Sequence, residues 1–212
     1  GGVAAAQEIH RQVRRLREGG KKVVASMGSV AASGGYYVAC AADEIVANPG
    51  SITGSIGVIL ALPNLHQLME KVGLETVVVK SGEHKDIGSP VRPMTAEERD
   101  ILQRMIDDVH EQFIEVVVAG RGLPRERVLQ LSDGSVFSGR QAKELGLVDD
   151  LGDMDDAVQL AARLAGISGR PGIVRERLGR GILRRLLEGN LSDILFPLAG
   201  EQIPMIQYLW RY

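Results

Sequence analysis

"KKVVASMGSVAASGGYYVACAADEIVANP", residues 21–49, passes from β-branched residues through a run of small ones and back again. Positions 21–28 read as a short buried strand, because β-branched residues pack well on a pleated surface. Ser33-Gly34-Gly35 then runs into "YYVACAA", a small-residue helix over 33–42 that can approach its neighbours closely. "EIVANP" (44–49) returns to a β-rich run. Strand, helix and strand in that order predict an α/β layered fold with parallel pairing.

The pattern continues on both sides. "VAAAQEIHRQVRRLREGG" (3–20) sets Ile9, Val13 and Leu16 at helical spacing and ends on a glycine pair. "SIGVIL" (55–60) and "ETVVVK" (75–80) read as further strands, with a helix over "NLHQLMEKVG" (64–73) between them. "SGEHKDIGSPVRPM" (81–94) lacks an apolar period and reads as an exposed loop. Thr95 and Glu98 form a capping box opening a long helix, with a stripe of Leu102, Met105, Ile106, Val109, Phe113, Ile114 and Val117 that Gly120 is expected to stop. Two shorter helices are expected after Pro124 and at the Ser138/Gln141 capping box, then a last strand and turn over 145–152 and a helix over 153–165.

From about Ile167 the character changes, which divides the chain into a layered domain over 1–166 and an extension over 167–212. Residues 169–190 interleave arginines with Leu178, Ile182, Leu183, Leu186 and Leu187, the pattern of an amphipathic helix packed on its own domain, a neighbouring subunit or a membrane surface. The tail "DILFPLAGEQIPMIQYLWRY" is apolar and proline-broken, as expected of a segment that docks on something.

Composition excludes some classes. With 25 basic against 27 acidic residues the chain lacks the surplus of a phosphate binder, so nucleic acid is not expected as a partner. Cys40 is the one cysteine, so no disulfide forms within the chain. No run of about 18 apolar residues occurs that would span a membrane. The chain begins at Gly1 without a methionine, as expected of a trimmed or processed product.

The hydroxyl of Ser33 has three readings: a turn, a cap for a closely packed helix, or a nucleophile. Nucleophilic catalysis needs a base within hydrogen-bond reach and donors aimed at the developing oxyanion. At a helix N-terminus the free amides supply the donors, and Gly34 lets a carbonyl approach. The G-x-S-x-G hydrolase elbow is absent, since the string is Ala31-Ala32-Ser33-Gly34-Gly35. His10, His66 and His110 fall in helical segments, whereas His84, with Asp86 two residues on, leaves a Ser-His-Asp arrangement open. Beside it stands Lys85. A lysine acts as base only when neutral; moving an amine from about 10.4 to about 7–8 requires roughly 4 kcal/mol of stabilisation of the neutral form.

"MGSVAASGGYYVA" (27–39), "TGSIGVI" (53–59), "KSGEHKDIGSP" (80–90), "GRQAKELGLVDDLG" (139–152) and the opening "GGVAAAQEIH" together resemble the signal peptide peptidase A family, serine proteases of the ClpP/crotonase fold. The resemblance spans roughly residues 1–160 and implies a ClpP/crotonase-like layered fold with parallel-rich sheets and flanking helices. It implies Ser33 as nucleophile, Lys85 as general base and Ser55 as the hydroxyl that orients the amine. Gly1 or Gly2, with Gly34, would lend the oxyanion-hole amides. A single domain copy carrying both dyad residues is similar to the form that assembles into a dome-shaped octamer.

The implied substrates are remnant signal peptides and other small peptides, cut outside the cytoplasmic membrane by a domain with an upstream anchor, and no cofactor or metal is expected. The tail could lie in an active-site groove, its own or a neighbour's. Two rivals share the fold: a crotonase-type acyl-CoA enzyme, which typically works through acidic residues, and an inactive scaffold.

Overall fold

A computed structural model describes residues 1–174. Among them run α1 (Val3–Glu18), β1 (Val24–Met27), α2 (Gly34–Ala39), β2 (Glu44–Ala47), β3 (Ile52–Gly54), α3 (His66–Val72), α4 (Ala96–Arg121), α5 (Arg125–Gln130), β4 (Val136–Ser138), α6 (Gly139–Glu144), β5 (Asp150–Leu151) and α7 (Met154–Leu164). The amphipathic helix expected over 169–190 lies largely outside the described residues, and the apolar tail wholly so.

β1, β2 and β5 form a parallel sheet in that order, with Val24 opposite Glu44, Met27 opposite Ala47 and Val46 opposite Asp150. Parallel neighbours need a crossover, and α2 is the crossover between β1 and β2. Ile45, Val46 and Ala47 are all buried, as an unbroken apolar run should be when both faces of its strand are covered. The α/β class with flanking helices is thus as expected. One pair departs from it: β3 and β4 are antiparallel, with Ile52 opposite Ser138 and Gly54 opposite Val136.

The core closes around α2. Tyr36 is fully buried and its hydroxyl donates to the Leu147 carbonyl at 2.9 Å. The Tyr37 ring meets His10 of α1 and Phe113 of α4, each at a centroid distance of 5.2 Å. Burying Phe113 is worth about 2–3 kcal/mol. Gly120 answers a different need from the one its sequence context suggests. It does not stop α4, which runs to Arg121 and is capped by Gly122 at φ 63°. Instead, a Cβ at Gly120 would stand 2.3 Å from the Cys40 carbonyl oxygen, so glycine is what lets α4 lie against the end of α2. Cys40 is buried there, which pushes its thiol up to about 12.

Two expected strands are absent. The strand placed over 55–60 falls instead on 52–54, because the chain turns at Gly54 (φ 75°) and Ser55 (φ 50°). "ETVVVK" forms no strand, and Val77 and Val79 are 82% and 96% exposed. High β-propensity there meets no neighbouring strand among the described residues, and β-propensity is realised only on a packed pleat.

Candidate active site

Ser33 is delivered by a ladder. After β1, the Ile52 amide donates to the Ser29 carbonyl at 2.9 Å, the Ala31 amide to Ile52 at 2.9 Å, and the Ser33 amide to Gly54 at 2.8 Å. Thr53 adds its hydroxyl to the Ala31 carbonyl at 2.8 Å. These bonds hold Ser33 at φ 56° and ψ −120°, immediately before the first residue of α2. A residue with a Cβ avoids that region, which costs of order 1–3 kcal/mol and persists where the surroundings over-determine it. Its side chain is 1% exposed, and Oγ has no hydrogen-bond partner among the described residues. A buried hydroxyl left in that state calls for an explanation.

The glycines gather around it. Gly34 opens α2, so its amide has no acceptor within the helix. A Cβ at Gly34 would meet the Gly1 nitrogen at 3.5 Å and Ala6 Cβ at 3.6 Å, which puts the entry to α1 against the start of α2. Gly2 caps α1, its carbonyl accepting from the Ala6 amide at 3.0 Å. Ser55 is buried and follows directly on the Gly54 carbonyl that holds the Ser33 amide. Its own amide donates to Ser135 at 2.7 Å, tying this turn to the residue before β4. Ser33, Gly34, Gly1 and the Gly54–Ser55 turn therefore share one neighbourhood.

Lys85 is exposed in a run of tight turns over 82–89 in which its amide donates to the Gly82 carbonyl at 3.2 Å. Its side chain makes no hydrogen bond or ion pair among the described residues. His84 faces Glu97 at 3.5 Å, while the Asp86 carboxylate is taken by Arg92 Nε at 2.8 Å and Lys80 Nζ at 2.6 Å. The His84–Asp86 pairing left open by spacing is thus not formed, since Asp86 has two cationic partners already.

Sequence reading missed the role of Arg92. Its guanidinium also donates to both oxygens of Glu98, through Nη1 to Oε2 at 2.8 Å and through Nη2 to Oε1. Glu98 is only 3% exposed and closes the α4 capping box by accepting from the Thr95 amide at 3.0 Å. The capping box was the available signal that this end of the loop is anchored. Hydrogen bonds from Arg92, then from the Thr95 amide, hold the Glu98 carboxyl down to about 2, against 4.5 ordinarily. Arg92 and then Lys80 likewise hold Asp86 well below the usual carboxylate range. A group depressed on folding stabilises above its unfolded pKa and loses that contribution as pH falls towards its folded one. Protection factors of the amides over 83–98, which divide out the intrinsic pH dependence of exchange, are therefore expected to be constant above about pH 4.5 and to fall progressively down to about pH 2. Protection that stays flat through this window would show that the clamp does not order the loop.

The model of peptidase family S49 matches residues 15–168. A protein of Synechocystis sp., provisionally named a protease, is 52% identical over 167 residues, covering 79% of this chain and 60% of its own length. The chloroplast serine protease SPPA of Arabidopsis thaliana is 35% identical over 205 residues, covering 96% of this chain and 29% of its own length. The chain thus spans little more than half, or less, of these relatives. Among solved structures, a ClpP1 mutant from Listeria monocytogenes aligns at a TM-score of 0.46 and 19% identity, over 74% of this chain and 71% of that one. With the family model covering most of its length, this chain belongs to peptidase family S49.

Proposed function

We propose that this chain is the catalytic domain of a serine endopeptidase in which Ser33 attacks the peptide carbonyl and Lys85 is the general base. The observation that carries the reading is the backbone of Ser33, held at φ 56° and ψ −120° at the mouth of a helix with its hydroxyl buried and unpartnered among the described residues. Neutral Lys85 takes the Oγ proton as Oγ bonds to the carbonyl carbon. Amides of Gly34 and of Gly1 or Gly2 hold the oxyanion. The Lys85 ammonium then protonates the departing amine, the C–N bond breaks, and water repeats the sequence on the acyl-enzyme. Ser55 orients the amine. By family resemblance the substrates are remnant signal peptides and other small peptides at a membrane. No helix among the described residues is long and apolar enough to cross one, so attachment would come from residues outside them.

Among the described residues Ser33 Oγ has no partner and Lys85 is exposed, so the proposed dyad forms between copies, Lys85 of one serving Ser33 of the next. The exposed apolar residues Leu68, Val72, Leu74, Val77 and Val79, just before Lys85 in the chain, supply a contact surface for that assembly. The octamer of the family is the expected form, and the apolar tail would lie at or near a groove of this assembly.

Complementation tests it. Ser33→Ala and Lys85→Ala proteins, each expected to keep at most a small residual rate, are refolded together at equal amounts. Peptidase activity is expected to return to about a quarter of wild type, the random share of neighbours supplying one intact residue each. A mixture as inactive as its parents would rule out the shared site, and an active Lys85→Ala protein would rule out the lysine.

A further inference from the structure

We propose that Arg92 is a positioning residue for Lys85, acting through Asp86, and this rests on the reading of Lys85 as the general base. A base must sit within hydrogen-bond reach of the proton it takes, yet Lys85 is a long side chain on an exposed turn. The residue directly after it is gripped twice. Arg92 Nε donates to Asp86 Oδ2 at 2.8 Å and Nη2 donates to the Asp86 carbonyl at 3.2 Å, which fixes both the side chain and the peptide plane leaving the turn. Lys80 holds the remaining carboxylate oxygen at 2.6 Å and the Glu83 carbonyl at 2.6 Å, so the turn is tied on both sides of Lys85.

The other donors of the same guanidinium reach Glu98, a buried carboxylate in the first turn of α4. From there the connection is rigid. α4 packs on α2 through Phe113 against Tyr37 and Gly120 against Cys40, and α2 is the helix that Ser33 opens. Arg92 therefore joins the backbone of the base to the rigid frame of its own copy, from which Lys85 is presented to Ser33 of the neighbouring copy. A planar fork with five donors can serve Asp86 and both oxygens of Glu98 in one fixed geometry, whereas the compact ammonium of a lysine has no such fork.

The test measures acylation of Ser33 by a peptidyl fluorophosphonate, with KM for a small peptide substrate, in Arg92→Lys and Asp86→Asn proteins. Each substitution is made both with Lys85 and in a Lys85→Ala background. Both are expected to slow acylation about 10- to 100-fold with KM within about threefold, and to have no effect on the residual rate once Lys85 is gone. Asp86→Asn keeps the shape of the side chain, so it decides the matter if Arg92→Lys proves poorly folded. Full-rate acylation in the folded variants, or the same fold-loss in both backgrounds, would overturn the positioning role while leaving the dyad standing. A wild-type rate in Lys85→Ala alone would instead remove the dyad, and the positioning role with it.

Discussion

Ser33→Ala is expected to lose between about ten-thousandfold and a millionfold in peptidase rate, the range seen when a covalent nucleophile is removed from a serine protease. The same protein is expected to be no less stable than wild type. Its hydroxyl is buried without a partner among the described residues, and an unsatisfied polar group of that kind costs about 1–3 kcal/mol. Ser33→Gly should go further, because glycine tolerates φ 56° and relieves strain of about 1–3 kcal/mol, offset by about 0.5–1 kcal/mol of added chain entropy. Activity lost while Tm holds or rises is the signature of a residue kept for chemistry. Thermal melts beside rates on a fluorogenic peptide measure both quantities. Residual activity within tenfold of wild type in Ser33→Ala would exclude this serine as nucleophile.

Gly139→Ala is expected to cost about 3 kcal/mol or more and to lower Tm by about 10 °C. A methyl group there would stand 2.0 Å from the Asn48 carbonyl oxygen and 3.4 Å from Ala47 Cβ. Neither side can yield easily. The Asn48 carbonyl accepts from the Ser51 amide at 2.9 Å, and the Gly139 amide donates to the Ser51 carbonyl at 2.8 Å, so the two segments are stitched together where they would have to part. If α6 lifts, β4 goes with it, and the turn that Ser135 secures beneath Ser55 loses its support. Peptidase activity is therefore expected to fall together with stability, unlike in Ser33→Ala. A Tm within about 2 °C of wild type would mean that this contact relaxes at little cost.

Much of this arrangement was legible in the order of residues. Small residues from Ala31 to Gly35 between two β-branched runs marked the crossover that carries Ser33, and Thr95/Glu98 and Ser138/Gln141 marked the helix starts they cap. The backbone angle of Ser33 was not legible, because bonds from residues 52–54, some twenty positions later, impose it. "ETVVVK" misled because composition reports what a segment would do beside a partner strand and is silent on whether one is there. Gly120 misled for the opposite reason: glycine near a helix end resembles a stop, and only the nearness of Cys40 gives it its purpose. The bonds of Arg92 escaped notice because a charged residue in a loop is usually solvated, and nothing local distinguishes one that reaches into a helix cap.

The bond from the Ser33 amide to the Gly54 carbonyl bears on how an inhibitor could be held. In many serine hydrolases of other folds the nucleophile's own N–H greets the charged oxygen of the adduct. Here that N–H is already committed to the Gly54 carbonyl of β3. With the proposed oxyanion donors on Gly34 and on Gly1 or Gly2, a boronate or aldehyde warhead would find its oxygen cradled from the α1 and α2 side alone, so compounds shaped for a two-sided cradle formed around the nucleophile's own amide should fit poorly.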